Sequence, residues 1–321
     1  MLMNNIFFLG FIPKPYVWVV VDANEHWYDF NARNNKSLFI REVVFAAEGK
    51  ELSIKVTRPG MVWISSKTKR LTTNQEDDYF KTVELRKDLI KIANVYNYLL
   101  ALTSKEYTSG FTTSIVPIEI TLHETMCMKF FDGNGQNLNE PTTFIPTCPN
   151  VTSAMNIEFK ELESRDGQIS VDAYKKAFDV LERLDEKGIE CLNMLSKSES
   201  EYLNSDYSTS LILSWFIIEH TVLDVFLNEA SGKMSAKGHS PKLDEMLVKI
   251  KDTDNYHEYA SVISLIGKAK DARNGFAHRN KKVDKTSAEN SLNAAFALVS
   301  YKFKIVLKHS ICVPQLLSYG K

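Results

Sequence analysis

Ser208-Thr-Ser-Leu-Ile-Leu-Ser-Trp-Phe-Ile-Ile-Glu-His-Thr-Val-Leu-Asp-Val-Phe-Leu-Asn-Glu229 is the stretch whose reading decides the fold. It is too long and too evenly apolar for a strand, so it predicts a long helix that belongs in a core. Helical patterning lies on both sides of it. The spacing of Tyr174, Phe178, Leu181 and Leu184 predicts a helix over Val171–Leu195. A short helix is expected at Lys242–Lys251, and longer ones at Tyr256–Ala272 and Ser287–His309. About five helices joined by short polar links read as an all-α bundle.

Upstream of Ser170 the pattern is different. Asn5–Ile12, Tyr16–Asp22, Ser37–Ala46, Glu51–Arg58 and Met61–Ser65 are short runs rich in Val, Ile, Phe and Trp, with breaks such as Arg58-Pro59-Gly60 between them. They read as strands. A helix is expected over Glu76–Thr103, with Thr73 or Asn74 as its N-cap. Strands then return at Ser114–His123 and Met126–Phe131, a Gly-, Pro- and Asn-rich loop or linker covers 132–155, and a last strand is expected near Asn156–Leu162. The fold class is therefore α+β: a β-rich N-terminal domain with one packed helix over 1–160, then an all-α helical domain over 161–321.

Composition agrees with that size. Of 321 residues, 44% are hydrophobic and 25% charged, enough to bury a real core and too apolar for a disordered chain. The formal charge of -1 excludes a globally basic nucleic-acid binder. Charge is nevertheless uneven, because residues 201–321 carry a net +3 and the remainder a net -4. Within 268–285 there are seven cations and two anions. Four widely separated cysteines (Cys127, Cys148, Cys191, Cys312) without a C-x-x-C pair point to reduced thiols and a cytoplasmic protein. The apolar N-terminus lacks a basic n-region and runs into Pro13 and Pro15, so no signal peptide is expected. No stretch is expected to span a bilayer, and no membrane partner is expected.

The chemistry concentrates in Asp271-Ala-Arg273-Asn274-Gly275-Phe276-Ala277-His278-Arg279. On one continuous helix Arg273 and His278 would diverge by about 140°. Gly275 is a natural breaker, which would let Arg273 end one helix and His278 begin the next. A permanent cation and a titrating imidazole are the minimal set for RNA cleavage: the imidazole moves the proton and the guanidinium holds the phosphate. The same residues also make an ordinary basic helix end, with Arg273 complementing the helix dipole and Asn274 or Gly275 capping it. Lys270, Arg279, Lys281 and Lys282 would attract an RNA backbone without choosing sequence. Glu219 falls on the azimuth of Ile212, Trp215, Leu223 and Phe226, where a carboxylate is costly unless paired, so it is expected either to pair with Arg273, or to snorkel to the surface or pair with a lysine of another helix.

Arg-Asn followed by a His at this spacing, within a helical domain, resembles the signature of the HEPN superfamily (higher eukaryotes and prokaryotes nucleotide-binding). The apolar helix around Glu219 is similar to its abortive-infection and Apea-like branches. The resemblance spans about residues 170–310. It implies a HEPN-like bundle acting as a homodimer, with Arg273 and His278 catalytic, Asn274 auxiliary and Glu219 orienting Arg273. It implies a metal-independent endoribonuclease that needs no cofactor, in which the 2′-hydroxyl attacks and a 2′,3′-cyclic phosphate is left. A toxin-like or antiviral-defence effector acting on RNA, a tRNA among the candidates, is the corresponding role. The β-rich domain would then meet a regulatory ligand or a neutralising partner. A non-catalytic HEPN-like binding protein is the alternative. Elsewhere the histidines and cysteines complete no zinc set. Gly133-Asn-Gly135 has no Walker lysine, so it does not cradle phosphate.

Overall fold

The computed structural model describes residues 7–15, 17–21, 43–67, 79–106, 115–129, 143–145, 167–230, 232, 241–251 and 256–305. The protein is α+β, with a sheet-containing N-terminal region and a helical C-terminal region. Two compact units divide the chain, Met1–Arg183 and Leu184–Lys321. This division falls later than the expected 160/161, for two reasons. Strand β8 (Gly167–Ser170) pairs in parallel with β2 (Val17–Val20), and helix α2 (Val171–Leu181) packs on α1 (Tyr79–Glu106).

The helix expected over Val171–Leu195 is two helices. Ser170 caps α2 by accepting the Asp172 N–H at 3.2 Å. A second cap, Asp185, accepts the Gly188 N–H at 2.8 Å and starts α3 (Glu186–Leu203). Each carboxylate or hydroxyl satisfies a donor that the first helical turn leaves open.

The first unit holds a six-stranded antiparallel sheet in the order β3-β4-β5-β1-β6-β7. Its strands are β1 (Phe7–Phe11), β3 (Val43–Glu48), β4 (Leu52–Thr57), β5 (Val62–Ser66), β6 (Met126–Lys129) and β7 (Thr143–Ile145). Of these, β7 lies inside the stretch expected to be a linker, and the strand expected at Asn156–Leu162 lies outside the described residues. Gly10 pairs with Trp63 across β1 and β5. A Cβ on Gly10 would come within 2.3 Å of the Trp63 ring, so only glycine leaves room for the indole.

Helix α1 packs on β1, β5 and α2. From Ala93 to Ser104 it is buried on every side, and its polar residues are committed to particular partners. Asn94 exchanges two hydrogen bonds with the Ile120 backbone, at 2.6 and 3.3 Å. Asn97 donates to the Ile118 carbonyl at 3.1 Å. Arg86, only 1% exposed, donates to the carbonyls of Leu122 (2.8 Å) and Thr125 (3.2 Å) and to the Thr125 hydroxyl (3.1 Å). These bonds explain why Ser114–His123 is not the strand its apolar content predicts. Among its described residues only Val116 forms a bridge, to Lys14, and a 3-10 turn occupies Leu122–Glu124. Side chains of α1 take the place of a neighbouring strand, and a buried backbone needs partners of some kind.

The second unit contains α3, α4 (Tyr207–Asn228), α5 (Leu243–Lys251), α6 (Tyr256–Arg279) and α7 (Lys285–Lys302). Helix α4 lies at its centre and contacts the other four. Small side chains allow the close approach. Ser214 and Ser291 share a 2.7 Å hydrogen bond between α4 and α7, and the Ser198 hydroxyl donates to the Ser210 carbonyl at 2.8 Å. Among the described residues α4 alone is long and apolar enough to cross a membrane, with 22 residues and a mean hydropathy of 1.6 over its most apolar 18-residue window. That differs from the expectation that no stretch qualifies. More than half of its apolar window, 56%, is buried within the protein, as the centre of a bundle requires.

Candidate nucleic-acid interface

Helix α6 runs unbroken from Tyr256 to Arg279 and carries the whole Arg-Asn motif. Gly275 does not interrupt it. The helix ends instead at Asn280, whose φ of 51° is left-handed, and the Lys281 N–H folds back onto the Gly275 carbonyl at 3.1 Å. Asparagine tolerates this conformation because its short polar side chain bonds locally. The expected junction between Arg273 and His278 is thus five residues further on, at the α6–α7 corner. There Asp284 caps α7 through the Ser287 N–H at 2.7 Å. This bond, the main cause, holds the Asp284 carboxyl below its ordinary value.

With no break, the two motif residues diverge. Arg273 continues the stripe of Val262, Ile266 and Ala269 and is half-buried. His278 lies about 140° around the helix and is exposed. The Arg273 Nη1 donates to the Oδ1 of its sequence neighbour Asn274 at 3.2 Å. On the continuous helix the Arg273 and His278 side chains therefore project from different sides.

Glu219 is not where the helical wheel placed it. Trp215 and Phe226 are buried, but Ile212 and Leu223 are half-covered and Glu219 is exposed. The apolar circumference of α4 is wider than the surface its described neighbours cover, so sharing an azimuth with apolar residues did not bring burial. No ion pair joins Glu219 to Arg273 among the described residues. Glu219 instead borders a cavity of about 660 Å³ between α3, α4 and the start of α5. Asp224, one turn further along α4, pairs with Lys302 and lies 3.9 Å from Lys187.

The cations of the α6–α7 corner fall into two groups. Lys270 is held by Asp244 of α5 at 2.5 Å, so its charge is already matched. Lys268, Arg273, Arg279, Lys281, Lys282 and Lys285 form no ion pair among the described residues, and Arg279, Lys281 and Lys282 are exposed. The carboxylates nearest in sequence do not quench them, since Asp271 is solvent-facing and Asp284 is occupied by the α7 cap. The corner is therefore a compact positive surface with a guanidinium on its inner side and an imidazole on its outer side. Such a surface can hold phosphates, position them and exchange a proton with them. No family model, curated protein or solved structure matches this chain.

Proposed function

We propose that the protein is a metal-independent endoribonuclease of HEPN type, acting as a homodimer. The observation that supports this reading is the unpaired positive corner at the end of α6, where Arg273, Asn274, His278, Arg279, Lys281 and Lys282 lie within one or two helical turns. In the reaction the 2′-hydroxyl attacks the adjacent phosphorus, a His278 imidazole takes its proton, and the P–O5′ bond breaks. The departing 5′-oxygen takes a proton, giving a 2′,3′-cyclic phosphate and a 5′-hydroxyl. Arg273 stabilises the charge that builds on the non-bridging oxygens.

The divergence of Arg273 and His278 on one helix is what a dimer would resolve. If two α6 ends meet about a two-fold axis, the arginine of one copy faces the histidine of the other, and two imidazoles are available as base and acid. The N-terminal unit would be the regulatory module that meets a ligand or a neutralising partner. The cellular role would be a toxin-like or antiviral effector working on cytoplasmic RNA.

The test is cleavage of total RNA and bulk tRNA in EDTA by wild type, Arg273→Ala and His278→Ala, with product ends mapped. Wild type alone should cut and leave cyclic phosphate ends. Undiminished cleavage by His278→Ala would sink the reading. Mixing the two inactive variants should restore only part of the activity, because a mixed dimer keeps one intact Arg–His pair but a single imidazole, and water must then protonate the departing 5′-oxygen. The unbroken α6 favours one other reading, a non-catalytic RNA-binding module. It predicts salt-sensitive RNA binding with no cleavage by any of the three proteins.

A further inference from the structure

The cavity beside Glu219 lies within the Leu184–Lys321 unit and has the size, lining and charge of a ligand site. Its volume of about 660 Å³ falls in the range of roughly 300–1,000 Å³ usual for small-molecule pockets. Met194, Phe216, Leu223, Leu243 and Met246 supply apolar walls. Phe216 is 53% exposed and Met194 36%, so apolar side chains at a concave surface are left in contact with water. Covering them would release that hydration, which is what an apolar ligand body does.

The polar groups gather on α3 and α4: Lys187, Glu190, Cys191, Glu219 and His220. Lys187 contributes one positive charge, 3.9 Å from an Asp224 carboxylate that Lys302 already pairs. Glu219 has no ion-pair or hydrogen-bond partner among the described residues, and Glu190 adds a second carboxylate to the wall. Burial pushes the Cys191 thiol up, against the opposing pull of Lys302, so the thiol stays neutral at physiological pH. With one lysine against two carboxylates the lining carries a formal charge of -1, with Glu219 its carboxylate open to a ligand, and the Phe216 ring offers a face to a cation.

We propose that this cavity binds a small organic cation, an aryl- or alkylammonium whose apolar body lies against Phe216 and Leu223 and whose charged head meets Glu219. An organic anion of the same shape is repelled by Glu219, and a neutral isostere forgoes the charged contact. The site is separate from the ribonuclease reading, since neither Arg273 nor His278 lines the cavity and either idea can fail alone.

Calorimetric titration of the full chain with three naphthyl probes of similar size tests it: 2-naphthylmethylammonium, 2-naphthylmethanol and 2-naphthoate. The ammonium should bind, the alcohol about tenfold more weakly, and the naphthoate not measurably. Glu219→Gln should weaken the ammonium about tenfold and leave the alcohol unchanged. Leu223→Trp, which fills the cavity from α4, should remove binding of both, and Met194→Trp should do the same from α3 in case the first variant misfolds. Bound ammonium should also slow alkylation of Cys191 by iodoacetamide, read by peptide mass. The proposal is overturned if naphthoate binds as tightly as the ammonium, if Glu219→Gln weakens both probes equally, or if binding survives both filling substitutions. Absence of ammonium binding to the wild type overturns it as well.

Discussion

Arg86 and the cations of the α6–α7 corner are the same kind of group put to opposite uses. In the first unit, Arg86 is buried and its guanidinium spans the carbonyls of Leu122 and Thr125 and the Thr125 hydroxyl. Lys55 is similarly withdrawn from water, 6% exposed, with its ammonium 5.5 Å from the Phe8 ring centre. Burial costs these cations hydration, and internal acceptors or π-faces must replace it. In the second unit, Arg279, Lys281 and Lys282 remain in solvent with no counter-ion among the described residues. A charge spent on internal partners supports the fold and is no longer free to bind a ligand. A charge left unpaired adds little stability and remains available to phosphate.

The sharpest way to break the comparison is at His278. His278→Ala should lower RNA cleavage by about 10²–10⁴-fold, while the melting temperature and oligomeric state stay at wild-type values. Loss of fold along with activity would make the corner structural, like Arg86. Next in size is Arg86→Met, which takes a buried guanidinium from three acceptors and leaves the Leu122 carbonyl only the Thr125 hydroxyl, at 2.9 Å. It should cost on the order of 3 kcal/mol in urea unfolding, and a loss below about 0.5 kcal/mol would show that the guanidinium does not support the fold.

Asp224 lies between these extremes. Burial alone would raise its carboxyl, but the hydrogen bond and charge of Lys302 outweigh that and hold it below its ordinary value. A carboxyl depressed in the folded state adds stability above its unfolded value of about 4, and that stability is lost as pH falls through the folded value. Asp224→Asn should therefore cost about 1 kcal/mol at neutral pH. The deficit should vanish in acid, as paired melts between about pH 7 and 2 would reveal. The smallest stability effect is expected from the triple change Arg279→Ala, Lys281→Ala and Lys282→Ala. Unfolding free energy should move by less than about 0.5 kcal/mol. RNA affinity should nevertheless fall, and its slope against log salt should shrink by about two.

Most elements were legible because their signal is local. Apolar content and helical spacing marked α4 and α5 to within a residue or two, and runs rich in Val, Ile, Phe and Trp marked β1, β4 and β5. The misreadings share one cause, a partner that is distant in sequence. Ser114–His123 has the apolar content of a strand, but Asn94, Asn97 and Arg86 of α1 claim much of its backbone. Leu184 continues a helical spacing, yet Asp185 starts a new helix there by capping Gly188.

In the candidate site, the residues could be named from sequence but their arrangement could not. A positive cluster, an Arg-Asn-His motif and a carboxylate within an apolar helix are all visible as letters. Whether Gly275 breaks α6 depends on what surrounds it, because an isolated glycine costs a helix only about 1 kcal/mol, less than the packing of the α6 stripe against α4 and α7 can offset. Whether Glu219 is buried depends on how much of α4 its neighbours cover, and a helical wheel carries no such information. The sequence by itself determined the α+β class, the α4 core helix and the chemistry available at the end of α6. Only the tertiary structure decided that Arg273 and His278 face apart, that Glu219 opens on a cavity, and which cations are already matched. Those outcomes depend on which surfaces meet, and local periodicity does not encode that.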